Sequence, residues 1–308
     1  MNAVLGIDTS NYTTSIAFYD GFGGENCSKL LPVKQGELGL RQSDAVFAHM
    51  KSLPELSGRL FSHIQAANIT AVGVSTRPRA VEGSYMPCFL VGYSHAKLLA
   101  DALNVPLIEV SHQQGHVAAS LWSAGHMELM SQPHLAWHLS GGTTELLMVE
   151  PAGKNVICTK IGGTSDISAG QLIDRTGQLL QLPFPSGKHL DALSQEAVGT
   201  DLFKVKCADM TFSLSGVQNK VQQYHEKNGI PAETAAYALR CVAFAVFQAT
   251  KQALDLHPGL PVVFSGGVAS NTMLRQVLEP LNPIFAQPQY STDNAMGVAV
   301  LAHRAMEV

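Results

Sequence analysis

Two histidines, His112 and His116, stand four residues apart directly after the apolar segment VPLIEV. A helix that begins there places both imidazoles on one face, about 5–6 Å apart, and this spacing suits a metal ion. Gln113 and Gln114 follow His112, so the glutamate of the HExxH motif is absent and a metallopeptidase would lack its general base. A structural histidine pair is the alternative, because two ligands alone do not close a metal site.

Asp293, in the segment QYSTDNAMGVA, is the best candidate for the missing ligand. We expect it to cap a C-terminal helix that follows a turn, which would place its carboxylate as a metal ligand. The alternative is that Asp293 serves only as an ordinary N-cap of that helix. The sequence by itself leaves both roles open.

Three turns rich in glycine, serine and threonine lie at residues 8–14, 140–144 and 265–271. Each turn offers unhindered backbone N–H groups beside hydroxyls, which is what phosphate oxygens require. A single turn of this kind is commonly structural. Three in one chain favour a nucleotide-binding protein.

A fourth segment, SAGQLIDRTGQLLQLPFPSGKHLDALS, contains Asp174, Gly187 and Asp191. Its pattern predicts a helix, a turn rich in proline and glycine, and the start of another helix. The carboxylates could hold ribose or amide groups of a ligand, and surface or capping roles are the alternative.

The elements that position these residues alternate between strands and helices, which favours an α/β fold. VLGIDTSNYTTSIAFYD predicts a β-hairpin, and LAWHLSGGTTELLMVE repeats that plan about 130 residues later, which indicates two similar halves. PVVFSGGVASN predicts a strand followed by a helix that begins near Ser270 and Asn271. Apolar residues at three- and four-residue spacing predict helices near 44–64, 89–103, 168–180, 217–226 and 232–256.

The composition, 46% hydrophobic and 14% charged in 308 residues, is that of a globular protein. Because domains typically have about 100–200 residues, we expect two lobes around a cleft, with one large core as the alternative. The sequence shows no apolar run of membrane-spanning length and no secretory signal at its start, so we expect a cytoplasmic protein without membrane contact.

The five cysteines and the net charge exclude further classes. The cysteines are widely spaced and form no CxxC pair, which argues against a disulfide framework and a thiolate zinc site. A net charge of −4 gives no general attraction to nucleic acid. A nucleic-acid partner would therefore need a local basic patch or help from other subunits.

Taken in order, these segments resemble the TsaD family of tRNA threonylcarbamoyladenosine synthesis proteins, over nearly the whole chain. Where that family has GIETSCDETSVAIYD, HxxGH, VSGGHTEL and AGEAFDKxAxLLGLxYPGG, this chain has GIDTSNYTTSIAFYD, HQQGH, LSGGTTELLMV and SAGQLIDRTGQLLQLPFPSG. The family's FSFSG, AGGVAxNxxLR and CTDNAAM are similar to FSLSG, SGGVASNTMLR and STDNAMG in this chain.

The resemblance implies a two-lobed actin-like ATPase (ASKHA, ribonuclease H-like) fold, with duplicated lobes around a central cleft. The implied N-terminal lobe is 1–131 plus 292–308, with the metal ligands, and the C-terminal lobe is 132–291, with the nucleotide motifs. It implies that iron or zinc is held by His112, His116 and Asp293. It also implies that ATP or threonylcarbamoyl-AMP is bound by His138, Leu139, Ser140, Gly141, Gly142, Asp174, Gly187, Asp191 and Asn271.

The implied reaction is transfer of a threonylcarbamoyl group to the N6 amine of adenosine 37 in tRNA, with release of AMP. TsaB-like and TsaE-like proteins are the implied partners. The chain departs from the family in its first hairpin, where Asn11, Tyr12 and Thr13 replace Cys-Asp-Glu and two carboxylates are lost. Asp8 is then the candidate acid or base. The alternative is a divergent paralogue, an ATPase or scaffold, that keeps the nucleotide and metal sites without this chemistry.

Overall fold

The structure, a computed structural model, describes residues 3–10, 12–32, 40–65 and 68–307. The elements before residue 140 are β1 (Ala3–Thr9), β2 (Thr13–Tyr19), β3 (Gly24–Leu30), α1 (Gln42–Phe61), β4 (Ile69–Arg77), α2 (Phe89–Leu103), β5 (Leu107–Ser111), α3 (His112–Ala124) and β6 (His134–Leu139). The elements after it are β7 (Thr144–Ala152), β8 (Asn155–Thr164), α4 (Ala169–Leu179), α5 (Gly187–Ser194), β9 (Cys207–Ala208), β10 (Thr211–Phe212), α6 (Ser215–Asn228), α7 (Pro231–Leu256), β11 (Val262–Ser265), α8 (Thr272–Leu278), β12 (Ile284–Phe285) and α9 (Met296–Met306).

The chain divides into two compact units. The first is drawn from Met1–Gln132, Glu150–Cys158 and Asp293–Val308, and the second from Pro133–Val149 and Thr159–Thr292. None of the helices formed by the described residues combines the length and apolar character that crossing a bilayer requires.

The first unit is built on a five-stranded sheet in the order β3-β2-β1-β4-β5. Strands β1, β2 and β3 form antiparallel pairs, while β4 and β5 continue the sheet in parallel with β1. Apolar side chains of β1 and β4 pack with α1 and α2 in one core that includes Leu5, Ile7, Leu56, Val72, Val74 and Val91. Burial of this apolar area is the main force that holds the unit together.

Helix α9 approaches the same sheet at glycine positions. A Cβ atom on Gly6 of β1 would lie 2.6 Å from the carbonyl oxygen of Ala295 and 2.7 Å from the backbone nitrogen of Ala299. A Cβ atom on Gly297 of α9 would overlap the carbonyl oxygen of Gly115 in α3. The absence of side chains at these positions lets α9 pack directly against both β1 and α3.

The second unit has a seven-stranded sheet in the order β12-β11-β6-β7-β8-β10-β9. The run β8-β7-β6-β11-β12 repeats the order β3-β2-β1-β4-β5 of the first unit, and both units contain an antiparallel hairpin, β1–β2 and β6–β7. Trp137 and Phe264 are completely buried in its core. The repeated hairpin plan predicted from the sequence is therefore confirmed.

The predicted helices are also found, as α1, α2, α4, α6 and α7. The strand β11 leads first into a short 3-10 helix, Gly267–Ser270, and α8 begins at Thr272, slightly later than predicted. The delay arises because Asn271 is the N-cap of α8, where its side chain accepts a hydrogen bond from the backbone N–H of Leu274.

Candidate functional site

Helix α3 begins at His112, as predicted, because its N-terminus is closed by a capping box. The Ser111 hydroxyl accepts from the backbone N–H of Gln114, and the Gln114 side chain accepts from the backbone N–H of Ser111. Gln114 also donates to the carbonyl oxygen of Val156 at 2.7 Å. These bonds satisfy the backbone N–H groups of Ser111 and Gln114 and anchor the first turn of α3, the helix that carries His112 and His116.

Three potential ligand atoms, one from each of His112, His116 and Asp293, lie within 4.8 Å of one another. The Nε2 atoms of the two histidines are 3.0 Å apart, and Asp293 Oδ1 lies 3.1 Å from Nε2 of His116 and 3.6 Å from Nε2 of His112. The three side chains are only 10–25% exposed. Two imidazole nitrogens and a carboxylate oxygen form a donor set suited to zinc or non-haem iron.

The expected helix cap at Asp293 is wrong. Helix α9 begins at Met296, and its N-cap position is Ala295, which makes no capping hydrogen bond through its side chain. The Asp293 carboxylate accepts from Ser10 through Oδ2, at 3.3 Å, while Oδ1 lies against the imidazoles. The close approach of α9 to α3 at Gly297 and Gly115 sets the position of the segment that carries it.

Asp8, the candidate acid or base, lies at the carboxyl end of β1 with no exposed surface. Its Oδ1 accepts hydrogen bonds from the Ser75 hydroxyl and from Nδ1 of His112, the latter at 3.0 Å. Its Oδ2 is buried and has no hydrogen-bond partner among the residues that the structure describes. Asp8 is therefore joined to one of the candidate ligands and shielded from solvent.

The ionisation of this cluster is governed by its internal pairs. Burial of His112 favours the neutral ring, but the charge of Asp8 and the hydrogen bonds with Asp293 and Asp8 outweigh burial and raise the pKa of His112 to about 10. Burial would raise the pKa of both carboxyls, yet their pairing with His112 lowers the pKa of Asp8, and pairing with both histidines holds the pKa of Asp293 well below its usual range. Both carboxylates are therefore charged at neutral pH, and they stabilise a positive charge beside them, on a protonated imidazole or a bound cation.

The first hairpin turn places no carboxylate at the positions where the family has them. Tyr12 is 41% exposed, and Thr13 and Thr14 are buried. The Thr14 hydroxyl is 2.8 Å from Nδ1 of His49, a fully buried histidine of α1. Asn11 lies outside the described residues.

Sequence reasoning missed Ser75 as a partner of Asp8 and His49 as a partner of Thr14, and it named Ser10 only as part of the turn at residues 8–14. Ser75 lies near the carboxyl end of the apolar strand β4, which pairs in parallel with β1. Polar residues at the ends of neighbouring parallel strands meet at one sheet edge, so the pairing of β1 with β4 would have been the signal for Ser75.

In the second unit, the turn formed by residues 140–142 lies against the N-terminus of α4. The Ser140 hydroxyl accepts from the backbone N–H of Thr143 at 3.1 Å, and the Ser168 hydroxyl donates to the carbonyl oxygen of Gly141 at 2.6 Å. Ser168 and Gln171 also form the capping box of α4. The turn is thus held rigidly by α4.

The remaining predicted nucleotide residues form small groups within the same unit. Asp191 accepts from the Asn271 amide and from the Thr272 hydroxyl, both at 2.9 Å, so it braces the start of α8. Asp174 accepts from the backbone N–H of Ser186 at 2.9 Å, directly before Gly187. Burial raises the pKa of Asp174.

His138 and Leu139 lie at the end of β6, beside the end of β11. The Ser265 hydroxyl is 3.5 Å from Nδ1 of His138, and Gly266 lies against the backbone of Leu139 so closely that a Cβ atom would overlap it. The structure therefore joins Asp191 to Asn271 and places His138 and Leu139 beside the turn after β11.

A family model described as TsaD, tRNA N6-adenosine threonylcarbamoyltransferase, matches residues 37–300. A protein named tRNA N6-adenosine threonylcarbamoyltransferase from Carboxydothermus hydrogenoformans is 30% identical over 318 aligned residues, which cover 97% of this chain and 91% of the relative. One of the same name from Streptococcus suis is 34% identical over 230 residues, which cover 71% of this chain and 64% of the relative.

Solved structures of low identity share the fold. Full-length HypF superposes with a TM-score of 0.62 at 14% identity and covers 100% of this chain and 56% of that one. A ROK family glucokinase from Streptomyces griseus gives a TM-score of 0.55 at 12% identity, with 98% and 100% covered. These likenesses confirm the predicted actin-like ATPase (ASKHA) fold. The match to the family model and the relatives at 30–34% identity show that this chain belongs to the TsaD family of tRNA N6-adenosine threonylcarbamoyltransferases.

Proposed function

We propose that this chain transfers a threonylcarbamoyl group from threonylcarbamoyl-AMP to the N6 amine of adenosine 37 in tRNA. The observation that carries the proposal is the convergence of His112, His116 and Asp293 within 4.8 Å, in a chain of the transferase family. The proposal includes tRNA as the acceptor, TsaB-like and TsaE-like proteins as partners, and the cytoplasm as the compartment.

The residues of the cluster fit a divalent ion, and we propose iron or zinc. The donor set is nitrogen and oxygen, three protein ligands leave coordination positions open, and the carboxylates of Asp8, which is buried, and of Asp293, which is 25% exposed, together supply two negative charges. When bound, such an ion supplies Lewis-acid charge that stabilises negative charge on a substrate oxygen.

Residues of the second unit, which we assign to a C-terminal lobe of 132–291, bind the adenylate in this proposal. The backbone N–H groups of Gly141 and Gly142 are suited to a phosphate, because both residues are exposed, neither has a side chain, and α4 holds the turn in place. Asp191 and Asn271 are suited to the ribose hydroxyls, since both are hydrogen-bonding groups fixed at the start of α8.

In the transfer, the amine nitrogen forms a bond to the carbamoyl carbon, the bond from that carbon to the phosphate oxygen breaks, and AMP leaves. The amine proton must leave as well. Asp8 has no exposed surface, so we assign it no contact with the substrate. An oxygen of the departing phosphate is the acceptor that this arrangement leaves for the proton.

The test is restoration of threonylcarbamoyladenosine in tRNA of cells that lack their own transferase, with the partner proteins supplied. We expect the unchanged chain to restore the modification, and His112→Ala and Asp293→Ala to lose both the modification and the metal measured by elemental analysis. His126→Ala, which changes an exposed histidine paired with Glu128, is the matched control and should keep both. A chain that holds metal and nucleotide yet restores no modification would contradict the proposal and favour a non-catalytic paralogue.

A further inference from the structure

We propose that Asp8 is a positioning residue that fixes His112 as a metal ligand through its Nε2 atom. The inference rests on the metal site of the proposed function and not on the transfer step. Asp8 Oδ1 lies 3.0 Å from Nδ1 of His112, on the side of the ring away from the ligand cluster. In the neutral ring that a metal ligand requires, Nδ1–H donates a hydrogen bond to Asp8, and the lone pair on Nε2 then faces His116 and Asp293.

The position of Asp8 is set by the sheet and not by a loop. Strands β1 and β4 pair in parallel with Ile7 opposite Val74, so Asp8 and Ser75 follow side by side at the same sheet edge. Both are completely buried, and the Ser75 hydroxyl donates to the same Oδ1 atom that receives His112. The acceptor that orients His112 is therefore held from two adjacent strands.

Burial also separates a positioning role from an acid or base role. A carboxylate without exposed surface cannot contact a substrate atom, whereas its charge still acts on the ligands beside it.

Ser10 gives the second ligand the same kind of support. Its hydroxyl donates to Oδ2 of Asp293 at 3.3 Å, which leaves Oδ1 for the side that faces the histidines. Ser10 directly follows β1, so the end of this one strand orients ligands from α3 and from the segment before α9.

The test compares Zn²⁺ affinity of the full chain with that of Asp8→Asn, measured by competition with a chromophoric chelator. Asn keeps the size of the side chain and removes the charge, so we expect Zn²⁺ to bind about 10- to 100-fold more weakly. Asp101→Asn is the matched control, since Asp101 is an exposed carboxylate of α2 paired with Lys97, and its Zn²⁺ affinity should not change. An unchanged dissociation constant in Asp8→Asn would overturn the inference.

A double-mutant cycle with His112→Ala shows whether Asp8 acts through the ring. We expect the effect of Asp8→Asn to disappear in the His112→Ala background, where Zn²⁺ is lost on purification but still binds weakly when it is added in excess, as measured with a weaker chelator. An equal loss in both backgrounds would mean that Asp8 acts independently of His112 and would refute the positioning role. In addition, nitrogen chemical shifts of the Zn²⁺-loaded chain should show His112 protonated at Nδ1, and a proton at Nε2 would contradict the assignment.

If Asp8→Asn does not fold, Ser75→Ala provides a second test, because this substitution removes only the hydroxyl that donates a hydrogen bond to Asp8. We expect it to weaken Zn²⁺ binding in the same direction, and an unchanged affinity would overturn the inference. These readouts do not depend on tRNA. A chain that binds Zn²⁺ through this arrangement but modifies no tRNA would refute the proposed function and leave the role of Asp8 intact.

Discussion

Helix α4 begins against the turn formed by residues 140–142, and Gly170 in its first turn packs closely on the backbone of Ser140 and Gly141. A Cβ atom on Gly170 would lie 2.5 Å from Gly141 Cα and from the Ser140 carbonyl oxygen, and 2.8 Å from the Gly141 backbone nitrogen. All three are backbone atoms and cannot rotate away. In Gly170→Ala, the turn must therefore move by about 1 Å to reach ordinary contact distance.

The expected energies follow from this contact. Alanine is favoured over glycine within a helix by at most about 1 kcal/mol, whereas overpacking of a closed contact costs about 1–3 kcal/mol. The displacement also disturbs the bond from Ser168 to the carbonyl oxygen of Gly141, which is 2.6 Å long. We expect Gly170→Ala to lower the free energy of unfolding by about 1–2 kcal/mol.

The same movement displaces the proposed phosphate-binding groups. A shift of about 1 Å in such groups commonly costs about 100-fold in function, so we expect affinity for AMP to fall by about 10- to 100-fold. Urea denaturation measures the stability, and titration calorimetry with AMP measures the affinity.

Gly58→Ala is the matched control for helix propensity. Gly58 is an exposed position within α1, and, apart from its chain neighbours and the backbone of its own helix, no heavy atom of the described residues lies within 4 Å of an added Cβ. We expect this substitution to raise the free energy of unfolding by about 0.5–1 kcal/mol without an effect on AMP binding. If Gly170→Ala stabilises the chain as Gly58→Ala does and binds AMP normally, the reasoning about the turn is refuted.

Two further predictions concern the second unit. Burial opposes ionisation of Asp166, but hydrogen bonds from Ser213 and Ser215 outweigh it and lower the pKa of Asp166, so its stabilising effect is present above the ordinary pKa of 3.8 and is lost as pH falls below it. Asp166→Ala should therefore destabilise the chain at pH 7 by about 1 kcal/mol, the usual contribution of a capping side chain. Thermal unfolding measured against pH should show the stability difference between the two chains shrinking below about pH 4. A stability difference that does not depend on pH would contradict this account. Thr250→Val removes the acceptor of the buried Trp137 indole N–H, which is 2.9 Å from the Thr250 hydroxyl. We expect it to lower the free energy of unfolding, measured by urea denaturation, by about 1–3 kcal/mol. An unchanged free energy of unfolding would show that the indole finds another acceptor.

Local patterns in the sequence were enough to predict the two hairpins and the residue at which α3 begins. Alternation of apolar residues predicts strands over a few positions, and the His112–His116 spacing acquires meaning as soon as a helix begins at the first of them. The family motifs extended this local information to the fold class. The ligand set and the nucleotide residues stay predictions, which the metal and AMP measurements address.

Asp293 shows where local reasoning stops. The sequence presented it as a helix cap, yet Ala295 occupies that position, and the carboxylate contacts His116 of α3 and Ser10, which follows β1. Nothing in the surrounding residues encodes that arrangement, because it depends on the contact of Gly297 with Gly115, far away along the chain.

The sequence by itself determined which residue types were available for metal and phosphate chemistry and which local elements carry them. Only the tertiary structure decided that Asp8 faces Nδ1 of His112 and that Ser75 holds Asp8. The physical reason is the separation along the chain over which each interaction acts. Helix capping and strand alternation act between residues a few positions apart, whereas parallel pairing of β1 with β4 and close packing of α9 join segments that are distant in the chain.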